Sequence, residues 1–298
     1  MSARQRYRVR HETVYRYGGD VAHSHQLLHL SPRDSEHQLC LSRAIHLQPL
    51  PSSRSENLDA FGNLTTRLEY DSPHDRLEVL AEVDVEVSMP PALRAEASLP
   101  WQQVQDLLTY AGQPLSDAYL DACRFRMESS HVKIKHAFVE YAAACFADNR
   151  PLLQCAEDLM HQIHRDFAYE PGSTDIRTSA LQALEARRGV CQDFAHVMIA
   201  CLRSRGLAAR YVSGYLRTLP PSGAGSDWVG ADASHAWASV FCPPLGWVDL
   251  DPTNDVRIGM DHIIIAWGRD FGDVSPLRGV IIGGGQHGLS VRVSVQPE

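Results

Sequence analysis

A cysteine, a histidine and an aspartate stand in an order that suits nucleophilic acyl chemistry. Cys191 directly follows Arg188-Gly189-Val190 and opens a segment in which Phe194, Val197, Met198, Cys201 and Leu202 recur at i, i+3, i+4, i+7 and i+8, the pattern of a helix. A thiol at a helix N-terminus faces the positive end of the macrodipole, which favours thiolate, the nucleophilic form. Such a thiol needs a base, and the base needs an orienting group. His235 begins a predicted strand, His235–Phe241, and Asp251 ends the next, Trp247–Asp251, on the matching face. If the five-residue loop 242–246 joins them as a hairpin that pairs 241 with about 245, His235 lies opposite Asp251. Directly opposed residues have Cβ atoms about 5 Å apart, so the carboxylate reaches one ring nitrogen and leaves the other for Cys191. A slip of one residue would put the two on opposite faces. Each residue alone has an ordinary reading. Free cysteine is usually buried filler, as expected for Cys201; a lone histidine is usually packed or solvated; aspartate before Pro252 is a common turn residue. Together, in this order, they make a Cys-His-Asp triad.

The elements that must hold this triad can be read from periodicity. Residues 1–92 read as an antiparallel β domain: Tyr7–Tyr17, Leu39–Leu47, Leu64–Tyr70 and Leu77–Val87 all alternate apolar and polar. Met89-Pro90-Pro91 ends that run. Residues 93–150 form a helical connecting region with Trp101–Tyr110, Ser116–Phe125 and His131–Phe146 as helices. Residues 151–298 form an α+β catalytic core. There the stripe Leu152, Leu153, Ala156, Leu159, Met160 and Ile163 follows Pro151, and Ser179 with Gln182 has capping-box spacing. The Cys191 helix ends at Arg205-Gly206 with basic residues in its last turn. Strands follow at Ala208–Leu216, His235–Phe241, Trp247–Asp251, Ile263–Trp267 and Leu289–Val295, with a Pro/Gly/Ser-rich loop at 217–233 carrying Trp228.

Composition narrows the class. The 298 residues are 44% apolar and 21% charged, with a net charge of −8, ordinary for a globular protein and unsuited to a broad nucleic-acid footprint. The longest apolar runs, such as Val197–Leu202, fall far short of the roughly 20 residues of a membrane helix, and the N-terminus has no signal-peptide pattern. Seven widely spaced cysteines at 40, 123, 145, 155, 191, 201 and 242 include no Cys-x-x-Cys, so neither a disulfide framework nor a four-cysteine zinc site is expected, and the expected compartment is the cytoplasm.

The blocks RRGVCQDFAHVMIACLRSRGLAARYVSGYL (187–216), HAWASVF (235–241) and GWVDLDPTN (246–254) resemble the transglutaminase-like superfamily of bacterial cysteine enzymes. FAYEPGSTDIRTSALQAL (167–184) and WGRDFGDVSPLRGV (267–280) resemble its bacterial branch, and 1–90 resembles the N-terminal domain that accompanies that branch. The resemblance implies a papain/transglutaminase-like (cysteine-proteinase) α+β fold, with Cys191 as nucleophile, His235 as general base and then acid, and Asp251 as orienter. Animal transglutaminases have Trp after the nucleophile, where this chain has Gln192, and the chain lacks a calcium loop of the Asp-x-Asp-x-Asp-Gly type. These departures favour hydrolysis of an amide or peptide bond over protein cross-linking. Acyl transfer to an amine is the rival activity, and a non-catalytic binding or scaffold protein is the rival class.

The remaining candidates are secondary. The Cys191 backbone N–H is one oxyanion donor. Tyr169, Gln192 and Trp237 are candidates for oxyanion or substrate contact; the rival readings are a core aromatic for Tyr169 and core packing for Trp237. Asp193 and His196 either orient the nucleophile's loop or are a first-turn carboxylate and an ordinary polar face, the latter favoured for His196. His23, His25 and His29 cluster, and His161 and His164 are i, i+3, but none comes with cysteines or acids at zinc-ligand spacing, so no metal and no cofactor is expected. The glycines 283–285 read as a turn. The expected partner is a peptide or protein amide substrate, with no nucleic acid and no membrane; oligomeric state stays open.

Overall fold

The computed structural model describes residues 3–109, 116–217 and 234–298. Two antiparallel sheets and a helical layer share the chain. The first sheet is built on one strand, β1 (Arg4–Leu28), which is long enough to pair along its two halves with different partners. β2 (Gln38–Gln48), β3 (Ser53–Leu58), β4 (Leu64–Tyr70) and β5 (His74–Ser88) complete the order β2-β5-β1-β4-β3. In β5 the alternation predicted from sequence holds residue by residue: Leu77, Val79, Ala81, Val83, Val85 and Val87 are buried, while their neighbours are partly exposed.

Helices follow: α1 (Trp101–Leu107), α2 (Asp117–Cys123), α3 (His136–Tyr141) and α4 (Leu152–Asp166). α1 and α4 each begin directly after a proline, Pro100 and Pro151, whose fixed φ suits a helix start. The segment predicted as one helix over 131–146 is not one: Lys135 is extended, and a separate 3₁₀ turn covers Ala143–Cys145. No side-chain cap supports α3, and its buried Phe138 anchors it instead. Then come β6 (Ala168–Tyr169), α5 (Ala180–Ala186), β7 (Arg188–Gly189) and α6 (Cys191–Ser204). The predicted capping box starts α5: Ser179 Oγ accepts from Gln182 N at 3.3 Å, and Gln182 Oε1 accepts from Ser179 N at 2.9 Å.

The second sheet has the order β11-β10-β9-β8-β12, from β8 (Ala209–Leu216), β9 (Ser234–Phe241), β10 (Trp247–Asp251), β11 (Val256–Arg257) and β12 (His262–Gly268). Ala236, Ala238 and Val240 of β9 join the main core with Phe194, Val197, Met198 and Cys201 of α6; Trp237, on the other face, clusters with Val212 and Ile264. Cys201 is thus buried filler, as expected. Trp228 and the rest of 218–233 lie outside the described residues. Among the described residues no helix is long and apolar enough to cross a membrane.

The last strands correct the expected division of the chain. After α7 (Phe271–Val274), β13 (Leu277–Gly283) and β14 (His287–Pro297) leave the second sheet and pair antiparallel with β1. They fill the side of β1 not taken by β4 and β5. Between them, Gly283, Gly284 and Gly285 all have positive φ and make the expected turn.

The two sheets are locked through the edge strand β12. A bulge between Ile264 and Ala266 interrupts its pairing with β8. Gln38 of the first sheet pairs with the Ile264 backbone, donating to its carbonyl and accepting from its N–H, both at 2.7 Å. Asn63 does the same at Trp267, at 2.9 and 3.0 Å. Two side-chain amides therefore cap an edge that would otherwise be open to another strand. The sheets also meet at His11, whose Nδ1 lies 2.8 Å from the Tyr215 hydroxyl.

Burial pushes His11 down to about 4 and His196 down to about 3. Both are neutral when folded at neutral pH, so the unfolded chain binds more protons below the free-histidine value of 6.5. Their contribution is complete above 6.5 and is lost as pH falls toward their folded values, at up to about 1.4 kcal/mol per pH unit per group. Urea unfolding between pH 7 and pH 5 should show this slope, and His11→Gln should remove about one proton of it. Equal slopes in the two proteins would exclude His11 as the source.

Candidate active site

α6 presents Cys191 as its first residue, with Val190 extended before it. The turn is fixed by Asp193, whose buried carboxylate accepts from Val190 N at 2.8 Å and from Thr174 Oγ1 at 2.7 Å. Asp193 is a first-turn carboxylate and also fixes the nucleophile's turn, so its two readings coincide. It also explains Gly189: a Cβ there would lie 2.5 Å from Asp193 Oδ2. β6 pairs parallel with β7 alongside, placing Tyr169 next to Gly189.

The strand register differs from the expected one. Phe241 pairs with Trp247, not with 245, because Cys242 N bonds Gly246 O at 2.7 Å and closes the loop inside that pair. The pairing Ala238↔Leu250, extended by one residue, sets Asp251 against Trp237. A shift of two residues keeps the face, as a shift of one would not. His235 and Asp251 therefore meet diagonally, and His235 Nε2 donates to Asp251 Oδ2 at 2.7 Å. Cys191 also acts on the ring and helps to push it up, and Nδ1 is the ring nitrogen that Asp251 leaves open.

Asp251 is fully buried and saturated. Its Oδ2 accepts from His235 Nε2, from Asn254 Nδ2 at 2.7 Å and from His262 Nε2 at 3.2 Å; its Oδ1 accepts from Thr253 N at 2.9 Å and Asn254 N at 3.2 Å. Burial alone would raise this carboxyl, but the bonds from His235 and His262 outweigh it and hold it below the usual range. Burial likewise opposes a charged His235, yet the bonds to Asp251 and Cys191 prevail and push the ring up to about 10. Of the seven cysteines, all unbridged, Cys145, Cys155, Cys201 and Cys242 are buried. Burial pushes Cys145 and Cys155 up to about 11, far from a reactive thiol.

With this geometry in place, comparison with known proteins is direct. Residues 7–86 match the bacterial transglutaminase-like N-terminal region, and residues 139–252 match the transglutaminase-like superfamily. An uncharacterized protein of Mycobacterium tuberculosis is 41% identical over 100% of this chain and 94% of its own length. The chain belongs to the transglutaminase-like superfamily. A protein-glutamine gamma-glutamyltransferase of Pseudomonas aeruginosa is 35% identical over 96 residues, 31% of this chain and 14% of that protein. Among solved structures, a cysteine-protease-like protein from Cytophaga hutchinsonii superposes with a TM-score of 0.76 at 20% identity, over 99% of this chain and 91% of that one, and so shares the fold. Membership of the transglutaminase-like superfamily supports a cysteine-dependent enzyme.

The other predicted residues divide. Gln192 is half-buried in the first turn of α6. Tyr169 is 48% exposed and flanks the turn from outside, its ring 6.4 Å from that of Phe194. Trp237 is fully buried and makes no open wall. It backs His235 at 6.1 Å between ring centroids. The close approach depends on Gly214, directly across from His235, where a Cβ would lie 2.5 Å from the indole. His196 is not on a polar face. It is fully buried, stacked on His131 at 5.3 Å, and its Nε2 accepts from Phe271 N at 3.2 Å. The reason is its position on the side of α6 that α7 covers. His161 and His164 bond Asp255 and the Thr253 carbonyl, so they brace the loop after Asp251.

Sequence reading missed His262 and Asn254. His262 lies in β12, separated from β10 in the sheet order by β9 and β8, and its own strand reads simply as apolar. Asn254 had a signal: it lies three residues after Asp251, within reach of a side-chain turn.

Proposed function

We propose that this protein hydrolyses an amide or peptide bond through an acyl-thioester on Cys191. The observation that carries the reading is the His235 ring, bonded to the buried Asp251 carboxylate through Nε2 and influenced by Cys191 at the start of α6. The Cys191 thiol gives its proton to His235, and the sulfur attacks the substrate carbonyl carbon. The oxyanion that forms is met by the Cys191 backbone N–H at the start of α6. Protonated His235 then gives its proton to the departing nitrogen, the C–N bond breaks, and the amine leaves. Water, deprotonated by His235, attacks the thioester; the acid departs and the thiol is restored. Asp251 holds the ring orientation through both halves.

The test uses a fluorogenic peptide library in water enriched in oxygen-18, with and without a primary amine. Hydrolysis puts the heavy oxygen into the new carboxylate whether or not the amine is present. Incorporation of the amine in place of the label would establish acyl transfer instead. Cys191→Ala should abolish either product. Turnover surviving in that variant, or no iodoacetamide labelling of Cys191 in the folded protein, would overturn the reading.

A further inference from the structure

We propose that His23 and His25 form a binding site for a divalent copper- or nickel-type cation on the first sheet, separate from the candidate triad. The two residues alternate along β1, so they share a face. β4 runs antiparallel beside them, with Glu69 directly opposite His25. His25 Nδ1 lies 3.4 Å from Glu69 Oε1, and His23 Nδ1 lies 2.8 Å from Asp71 Oδ1. Both carboxylates stand as ion-pair partners of the Nδ1 atoms and so favour hydrogen there. In neutral rings this leaves both Nε2 atoms as bare lone pairs. Those two atoms face each other at 2.9 Å.

Two lone pairs at that distance repel unless a positive centre lies between them or against both. A carboxylate on the far nitrogen, fixing tautomer and ring orientation, is the usual support of a metal-bound histidine. The separation selects the metal. With metal–nitrogen bonds of about 2.05 Å, ligands at 90° stand about 2.9 Å apart, and tetrahedral ligands about 3.3 Å. The 2.9 Å observed fits neighbouring corners of a square-planar or octahedral ion, the preference of copper(II) and nickel(II) with imidazole donors. His23 and His25 are both partly exposed, so solvent can supply the other ligands.

The test is calorimetric titration of the tag-free full chain with nickel chloride, beside His23→Gln, His25→Gln, Asp71→Asn and His235→Gln. Wild type should take up one ion per chain at this site. Each of the first two variants should bind at least about tenfold more weakly, and Asp71→Asn should also lose about tenfold through the ring it orients. His235→Gln should leave this site unchanged, which separates it from His235, Asp251 and His262, whose ligand atoms also lie within 4.8 Å of one another. Isotherms unaltered by His23→Gln and His25→Gln would overturn the proposal. So would no uptake by a wild-type chain with a normal melting transition, since the rings would then be sharing a proton.

Discussion

Replacing Asp251 by asparagine should lower kcat/KM about 10⁴-fold, the loss seen when a triad carboxylate becomes an amide that favours the wrong ring tautomer. The amide would present a donor to His235 Nε2, which now donates to Asp251 Oδ2 at 2.7 Å. Asparagine retains an oxygen for the Thr253 and Asn254 backbone donors, so the fold should survive. The pH profile separates lost chemistry from lost structure. With Asp251 in place, His235 is pushed up to about 10, and a step that needs its proton should run until the pH approaches that value. Without the carboxylate, burial dominates and lowers the ring, so the alkaline limb should retreat below the free-histidine value of 6.5. The same linkage sets stability. The His235 contribution is complete below 6.5 and is lost as pH rises through about 10. An alkaline limb in the same place in both proteins would show that His235 is not the titrating acid.

Arg203→Leu should cost stability on the order of 3–5 kcal/mol, read as a lower urea midpoint at unchanged m. Arg203 is fully buried at the far end of α6 from Cys191. Its Nε donates to the carbonyls of Phe125 at 2.9 Å and Ala209 at 3.1 Å. Its other nitrogens reach Met127 O at 3.2 Å, Ser129 Oγ at 3.2 Å, Ala209 O at 2.8 Å and Arg269 O at 2.6 Å. Leucine would fill much of the volume and strip those acceptors of the guanidinium donors, Phe125 O keeping the Ala209 N–H at 3.2 Å, which is where the cost arises. Arg203→Lys should recover less than half the loss, because one ammonium cannot span carbonyls that a planar fork reaches together. A loss below about 1 kcal/mol in the leucine variant would mean that water replaces the guanidinium.

The two kinds of residue differ in how far sequence exposes them. Cys191 was legible because helix periodicity and the preceding glycine are local. His235 and Asp251 were legible because a period of two fixes a face, and the face survived a register two residues from the expected one. Arg203 showed only as a basic residue in a last turn; its burial depends on segments at 125–129 and 269, far along the chain. His262 reaches Asp251 across intervening strands, and Glu69 and Asp71 reach His25 and His23 from another strand, so no spacing pattern links these partners. The C-terminal strands alternate like any others, and nothing local says that they complete the first sheet rather than the second. By itself the sequence determined the type of most elements, the core face of β5 and the apolar stripe of α6, and the order of thiol, imidazole and carboxylate. The tertiary structure alone decided which strands are neighbours, because pairing depends on the free energy of long-range closure and shared burial, which no short window of residues contains.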